Sequence, residues 1–248
     1  MKISIITITY NSEKTLEDTI KSVIGQNYDD LEYIIIDGGS KDGTLKIAEQ
    51  YKKYISVIVS EPDKGISDAF NKGISHATGE LIGIINSDDM LADGALKTIA
   101  SEIHKDTDII YGDIYRCDPD GKNMRLAKAN DNVAVLKHGF SCMYHPATFI
   151  RKSAYEKYGV YELLRYCMDR ELLLRLYTSG AKFQRVDKPL AIFRVGGESC
   201  KCYYKTAFES MNVSIKYGFP KSLAFCKTIY NICNMYAISA AKKILRRR

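Results

Sequence analysis

Asn86-Ser87-Asp88-Asp89 puts two carboxylates side by side. Adjacent carboxylates repel one another, and burial of the surrounding chain would strip each of solvent. A hard divalent cation offsets both costs. Mg²⁺ or Mn²⁺ takes one or two carboxylates together with phosphate oxygens and water. An ion held in this way would bridge a diphosphate, neutralise its charge and stabilise it as a leaving group. The competing reading is a cap for a helix starting near Ala92, because Asp suits N-caps and first turns. Position favours the metal: the pair follows an apolar run, Leu81–Ile85, that reads as a buried strand.

Other segments offer polar groups at similar places. Asp37-Gly38-Gly39-Ser40 follows a second apolar run. Its glycines allow positive φ and close approach of backbone to a ligand. Asp37 could accept a hydrogen bond from a base or ribose. The same residues would also make a tight strand-to-helix turn with Asp42 as cap, and the two roles are compatible. GxxxxGK[ST] is absent and no GxGxxG follows the first strand, which argues against kinases and dinucleotide oxidoreductases. Glu61–Gly73 gathers charge around a helix start, where Asp68 and Asn71 share a face by spacing. Asp169 opens a further helix. It is either an N-terminal cap or a general base that takes the proton of an acceptor hydroxyl, and both roles stay open at this point. His145-Pro146 lies among aromatics, where a lone histidine is more often structural. Gly196-Gly197 after Arg194 reads as a loop that could close over a ligand, or as a plain turn.

The elements that must position these groups alternate. Ile3–Thr9, Tyr33–Ile36, Ser56–Ser60, Leu81–Ile85 and Ile109–Tyr111 read as strands. Thr15–Gly25, Thr44 to about Tyr54, Ile66–His76 and Ala92–His104 read as helices. Strand–helix alternation predicts an α/β fold with a mostly parallel sheet and helices on both faces. Ligands of such sheets bind beyond the carboxyl ends of the strands, so Tyr10-Asn11, Asp37-Gly38 and Asp88-Asp89 should converge on one crevice. Residues 112–140 read as loops and short strands. Phe149–Ile150, Phe183–Val186 and Leu190–Arg194 follow as strands, Asp169–Ser179 as a helix, and helices continue from Tyr203. The expected organisation is 1–111 and 112–200 as two parts of one domain, then a helical, basic segment over 201–248.

Composition bounds the function classes. Hydrophobic residues at 46% and charged residues at 27% of 248 describe a globular chain, not a disordered one. Most of the net charge of +6 lies in Lys242, Lys243, Arg246, Arg247 and Arg248. Such a tail suggests an anionic phospholipid surface or nucleic acid, or simply a solvated helix end. None of the seven cysteines forms a CxxC pair, so free thiols in a reducing compartment are expected. With no signal-peptide pattern and no stretch apolar enough to span a bilayer, the expectation is a cytoplasmic protein.

Taken in order and spacing, several runs resemble family 2 glycosyltransferases of the GT-A fold. They are Ser4–Asn11, Ile36–Thr44, Ser60–Gly73, Ala77–Glu80, Ile85–Asp89, His145–Phe149, Asp169–Leu176 and Arg194–Ser199. The resemblance covers about four-fifths of the chain, and taken jointly these motifs are specific. It implies a GT-A (Rossmann-like) domain with a C-terminal helical extension. It also implies inverting transfer of a hexosyl or hexosaminyl group from a nucleotide-diphosphate sugar, with UDP as the expected nucleotide. Thr7, Thr9, Tyr10, Asn11, Asp37 and Gly38 would then hold the nucleotide. Asp63, Lys64, Asp68, Asn86, Ser87 and Asp88 would complete the donor side, with Asp88 and Asp89 at the Mn²⁺ or Mg²⁺ position. Asp169 would be the catalytic base. His145, Arg194, Gly196, Gly197 and Ser199 would border the acceptor or diphosphate. Two departures stand out: Asn86 replaces a frequent Asp, and Met168 replaces an acidic residue that often precedes the base.

Ile229, Ile232, Cys233, Tyr236 and Ala240 form a further apolar stripe ahead of the basic cluster. A basic amphipathic helix can lie on an anionic bilayer. By analogy with the family, the acceptor would be a glycan or lipid-diphosphate-linked intermediate of surface-polysaccharide or O-antigen assembly. The protein would then sit peripherally on the inner face of the plasma membrane, with no nucleic-acid partner. The alternatives are a catalytically inactive nucleotide-sugar-binding homologue, against which intact Asp37, Asp88 and Asp169 speak, and a nucleotidyltransferase. The latter expects a Gly-rich basic loop where Tyr10-Asn11-Ser12-Glu13 stands.

Overall fold

The computed structural model describes residues 1–138, 142–196 and 203–245. The first half runs β1 (Ile3–Thr9), α1 (Leu16–Ile24), β2 (Leu31–Asp37), α2 (Thr44–Gln50), β3 (Val57–Ser60), α3 (Ile66–His76) and β4 (Leu81–Asn86). Then come β5 (Met90–Leu91), α4 (Ala95–Glu102), β6 (Ile109–Cys117), β7 (Arg125–Ala127), β8 (Thr148–Arg151) and α5 (Lys152–Tyr158). The series ends with α6 (Met168–Thr178), β9 (Phe183–Arg194), α7 (Tyr203–Lys216) and α8 (Lys221–Leu245).

All the described strands join one sheet, in the order β3-β2-β1-β4-β8-β6-β9-β5 with β7 on β6. The β3-β2-β1-β4 half is parallel, as the β-branched runs and intervening helices predict. Its side chains alternate between two cores. Ile5, Tyr33 and Ile35 pack with Leu16, Ile20 and Ile99 on one face. Ile6, Ile34 and Ile36 pack with Phe70, Ile74 and Leu172 on the other. Cross-strand pairing brings Thr9 opposite Asp37, Ile8 opposite Asn86, and Asp37 opposite Ser60. The polar ends of the strands therefore share one edge of the sheet.

The other half is mixed. β8 runs antiparallel to both β4 and β6, while β6 and β9 are parallel. The two strands expected at 183–186 and 190–194 are one continuous strand. A register shift around Asp113, which pairs with Pro189, accommodates the missing proline N–H. The helix expected from Ala92 begins at Ala95, because Met90 and Leu91 pair with Ile192 and Ala191. The helix expected to reach Tyr54 stops at Gln50 and is followed by a 3₁₀ turn over Lys52–Tyr54. Helix α5 was not anticipated. In the C-terminal segment, Val213 of α7 is buried with Cys167, Leu173 and Leu174. No helix among the described residues is long and apolar enough to cross a membrane.

Candidate active site

The rim of the parallel half is built around Asp37, the last residue of β2 and 1% exposed. Its Oδ1 accepts the Ser40 hydroxyl at 2.5 Å. Its Oδ2 accepts the Ser60 hydroxyl at 2.6 Å and the Ser40 N–H at 3.0 Å. The carboxylate thus fixes the turn after β2 against the end of β3. Asn11, at φ 49°, locks the adjacent loop: its N–H donates to Ser40 Oγ and its Oδ1 accepts the Lys41 N–H. A Cβ at Gly38 would lie 2.5 Å from Asp63 Oδ2 and 3.4 Å from the Tyr10 ring, so any side chain there would displace the Asp63 carboxylate. Tyr10, Gly38 and Asp63 therefore meet at one spot, with the Tyr10 ring exposed.

Not every residue expected on the donor side reaches the rim. Thr7 is fully buried, with its hydroxyl paired to the Tyr33 hydroxyl at 3.1 Å, so it lies inside the sheet. Thr9, two residues on, carries a buried hydroxyl with no hydrogen-bond partner. Asp63 Oδ1 accepts the Gly65 N–H, and Asp68 accepts the Lys64 N–H and pairs with Lys72 at 3.4 Å. That backbone bond, with the lysine charges, holds the Asp68 carboxyl below its ordinary range. The Lys64 side chain is exposed. Asn71 donates to the Tyr161 carbonyl and accepts the Tyr161 N–H, so it clamps a loop instead of facing the crevice.

At the end of β4 the two aspartates part ways. Asp89 is 1% exposed; its Oδ1 accepts the Arg194 N–H at 3.0 Å and its backbone carbonyl accepts the Thr19 hydroxyl. Its Oδ2 is buried and unpartnered, as is Asn86 Oδ1. Burial, reinforced by the neighbouring Asp88 charge, pushes the Asp89 carboxyl up to about 8. Burial raises Asp88 too, but Asp88 keeps partial solvent access. The pair expected to face one ion together is thus split, with Asp88 at the rim and Asp89 turned inward. Neither caps a helix: α4 starts from Gly94 in the left-handed conformation, with no side-chain cap. Ser87 donates to the Ser12 hydroxyl, joining the β1 and β4 ends. No cluster of three or more His, Cys, Asp or Glu side chains forms a metal site among the described residues. A divalent cation would find here the partly exposed Asp88 carboxylate and the unpartnered Asn86 Oδ1, a sparse donor set to be completed by phosphate and water.

Arg194 ends β9. Its Nη2 bonds Asp18 of α1 at 3.1 Å and its side chain is 10% exposed, so it braces the Asp89 side of the rim. Gly196 follows at φ 127°, while Gly197 and Ser199 lie outside the described residues.

Asp169 stands in the first turn of α6, whose N-cap is Cys167, and its side chain makes no cap bond. Its Oδ1 lacks a hydrogen-bond partner and lies 3.7 Å from His145 Nε2. His145 stacks on Phe70 at 4.9 Å and sits 3.5 Å from the Tyr161 hydroxyl. Asp169, His145, Tyr161 and Thr148 line a small pocket with Ile84, which precedes Asn86 by two residues on β4. Tyr161 was missed from the sequence, as was Ser60. The alignment of the β2 and β3 ends could have flagged Ser60.

Residues 4–159 match the profile of glycosyl transferase family 2. The chain belongs to that family. It is 31% identical over 189 residues to a PGL/p-HBAD biosynthesis glycosyltransferase of Mycobacterium tuberculosis (strain ATCC 25618 / H37Rv), covering 73% of this chain and 72% of that one. It is 29% identical over 208 residues to EpsE of Bacillus subtilis (strain 168), covering 80% and 74%. Solved folds agree. S. aureus TarS 1-349 in complex with UDP-GlcNAc superposes with a TM-score of 0.68 at 19% identity, covering 90% of this chain and 69% of that one. The mannosyltransferase PcManGT of Pyrobaculum calidifontis, in complex with GDP-Man and Mn²⁺, gives 0.70 at 17% identity, covering 98% and 73%. The family 2 chain is thus a glycosyltransferase with the GT-A fold, and family membership sets aside the nucleotidyltransferase alternative. Asp169 lies beyond the matched residues, so its role rests on geometry.

Proposed function

We propose that this family 2 chain is an inverting, metal-dependent transferase. It moves a hexosyl or hexosaminyl group from a nucleoside-diphosphate sugar to an acceptor hydroxyl. The observation that carries this reading is the shared use of β4. The strand that ends in the Asn86–Asp89 rim also lines, through Ile84, the pocket holding Asp169 and His145. Donor diphosphate and attacking hydroxyl can therefore meet at one place.

Tyr10, Asn11, Gly38 and Asp63 would border the nucleotide. Asp37 would bind it by exchanging the Ser40 hydroxyl for a base N–H as donor to Oδ1; UDP is the nucleotide the family resemblance favours. The orphaned Thr9 hydroxyl is a further candidate contact. Asp88 would hold Mn²⁺ or Mg²⁺, with Asp89 fixing the turn behind it and Asn86 supplying a neutral oxygen. When bound, such an ion supplies charge neutralisation to the departing diphosphate. Asp169 would take the acceptor proton at Oδ1 while the acceptor oxygen bonds to the anomeric carbon. The bond from that carbon to the diphosphate breaks, its electron pair leaves with the nucleoside diphosphate, and the anomeric configuration inverts. His145, stacked on Phe70, would orient the base.

The acceptor we favour is a glycan or lipid-diphosphate-linked intermediate of surface-polysaccharide assembly, met at a membrane. Supporting this, α7 and α8 turn Tyr204, Phe208, Leu223, Phe225, Ile229 and Tyr230 to solvent while Ala224 and Thr228 face inward. Of the expected stripe, Ile229 and Cys233 are exposed and Ile232 is half-buried. The side chains of Tyr236, Ala240, Lys242 and Lys243, and all of Arg246–Arg248, lie outside the described residues. A cytoplasmic, peripheral location follows from this reading.

The test is a panel of nucleotide sugars scored for transfer with and without Mn²⁺, the product's anomeric configuration being read by NMR. Metal-stimulated turnover with inversion is expected. Metal-independent turnover or retention would overturn the reading.

A further inference from the structure

The approach to α6 is held from α7 by one carboxylate. Glu209 Oε1 accepts the N–H of Arg165 at 3.1 Å, and Oε2 accepts those of Tyr166 at 2.6 Å and Cys167 at 2.7 Å. Cys167 is the N-cap of α6, and its thiol also donates to the Thr206 carbonyl of α7 at 3.3 Å. On the other side of Asp169, Arg170 reaches back to the Ser210 carbonyl and the Ser214 hydroxyl, both at 2.9 Å. The neighbours of Asp169 in both chain directions are therefore tied to α7. From the donor side, Ser67 of α3 donates to the Leu164 carbonyl, and Asn71 exchanges two bonds with the Tyr161 backbone. The 161–167 loop is clamped between these two helices.

Helix α6 is already anchored by buried Leu172, Leu174 and Leu176. Charge-assisted bonds from successive N–H groups to one carboxylate add a fixed height and rotation for the first turn. That is the turn whose side chain must meet an acceptor oxygen within a fraction of an ångström.

We propose that Glu209 is a positioning residue for Asp169. Helix α7, which lies beyond the family-matched residues 4–159, sets the reach of the base. This rests on the reading of Asp169 as the base.

Glu209→Gln keeps one acceptor oxygen and the side chain's shape. We expect its kcat for transfer to fall about ten-fold or more while the donor Kd stays within about two-fold. In the Asp169→Asn background the same change should add little further loss, because both act on one function. Tyr217→Phe is the control: it removes a 2.5 Å bond to buried Glu171 at the same helix junction and should lower Tm while leaving kcat unchanged. Glu209→Asp, which keeps the charge but retracts it by one methylene, repeats the test if Glu209→Gln does not fold. A folded Glu209 variant with wild-type kcat, beside an inactive Asp169→Asn, overturns the positioning role. An active Asp169→Asn removes the base itself, and the positioning role with it.

Discussion

Asp89 and Arg194, 105 positions apart, are joined by one hydrogen bond, the Arg194 N–H donating to Asp89 Oδ1 at 3.0 Å. The bond closes the end of β9 onto the turn after β4 and takes Asp89 away from solvent. Adjacent carboxylates of similar chemistry thereby acquire different surroundings, Asp89 holding the turn and Asp88 keeping partial solvent access.

Asparagine substitutions should separate those roles. Asp89→Asn retains an acceptor for the Arg194 N–H and should keep transfer within about ten-fold of wild type. Asp89→Ala leaves that N–H without its partner and should cost about 1–3 kcal/mol. Chemical denaturation alongside initial rates checks both.

Asp88→Ala should leave the fold intact, because its side chain is not part of the core, yet weaken Mn²⁺-dependent donor binding. Calorimetry with UDP-sugar, with and without Mn²⁺, reads this directly. The variant is expected to lose the metal-dependent increment. An unchanged increment would move the ion elsewhere.

The acid sensitivity of the fold should report on Glu32. Burial pushes its carboxyl up, but hydrogen bonds from Lys2, Ser4 and Thr78 outweigh burial and hold it at about 2. A depressed carboxyl stabilises the fold above its unfolded value and loses that contribution as pH falls toward the folded one. The stability advantage of wild type over Glu32→Gln should therefore shrink by roughly 2–3 kcal/mol between about pH 6 and about pH 2, from a shift of about two units or more. A pH-independent difference would show that Glu32 is not held ionised by these bonds.

Phe225, Ile229 and Tyr230 are the exposed apolar side chains that should contact lipid. Replacing them together with serine should reduce co-sedimentation with vesicles of anionic phospholipid and leave transfer to a soluble acceptor unaffected. If wild type does not sediment with such vesicles, the membrane contact is wrong.

Much of this architecture is legible in the sequence. Strand β1 and helix α3 match their expected limits because their apolar spacing is uninterrupted and polar turns bound them. Strand β9 was read as two because Asp187, Lys188 and Pro189 interrupt its pattern, and only pairing with β6 shows it continuous. Strand-end logic puts Asp37, Asn86 and Asp88 at one edge of the sheet, where the pairing of β1, β2 and β4 also puts them. The family resemblance puts Thr7 with the nucleotide, but its hydroxyl is buried against that of Tyr33, a partner nothing local in the sequence reveals. Glu209 was invisible for the same reason: its partners lie 42 to 44 positions away.

If Asp169 takes the acceptor proton in the pocket beside the Asn86–Asp89 turn, Asp169→Asn in single-turnover transfer should bind donor within about two-fold of wild type and transfer about a hundred-fold or more slowly, the usual contribution of a general base. Transfer by the variant at the wild-type rate would show that Asp169 does not take that proton.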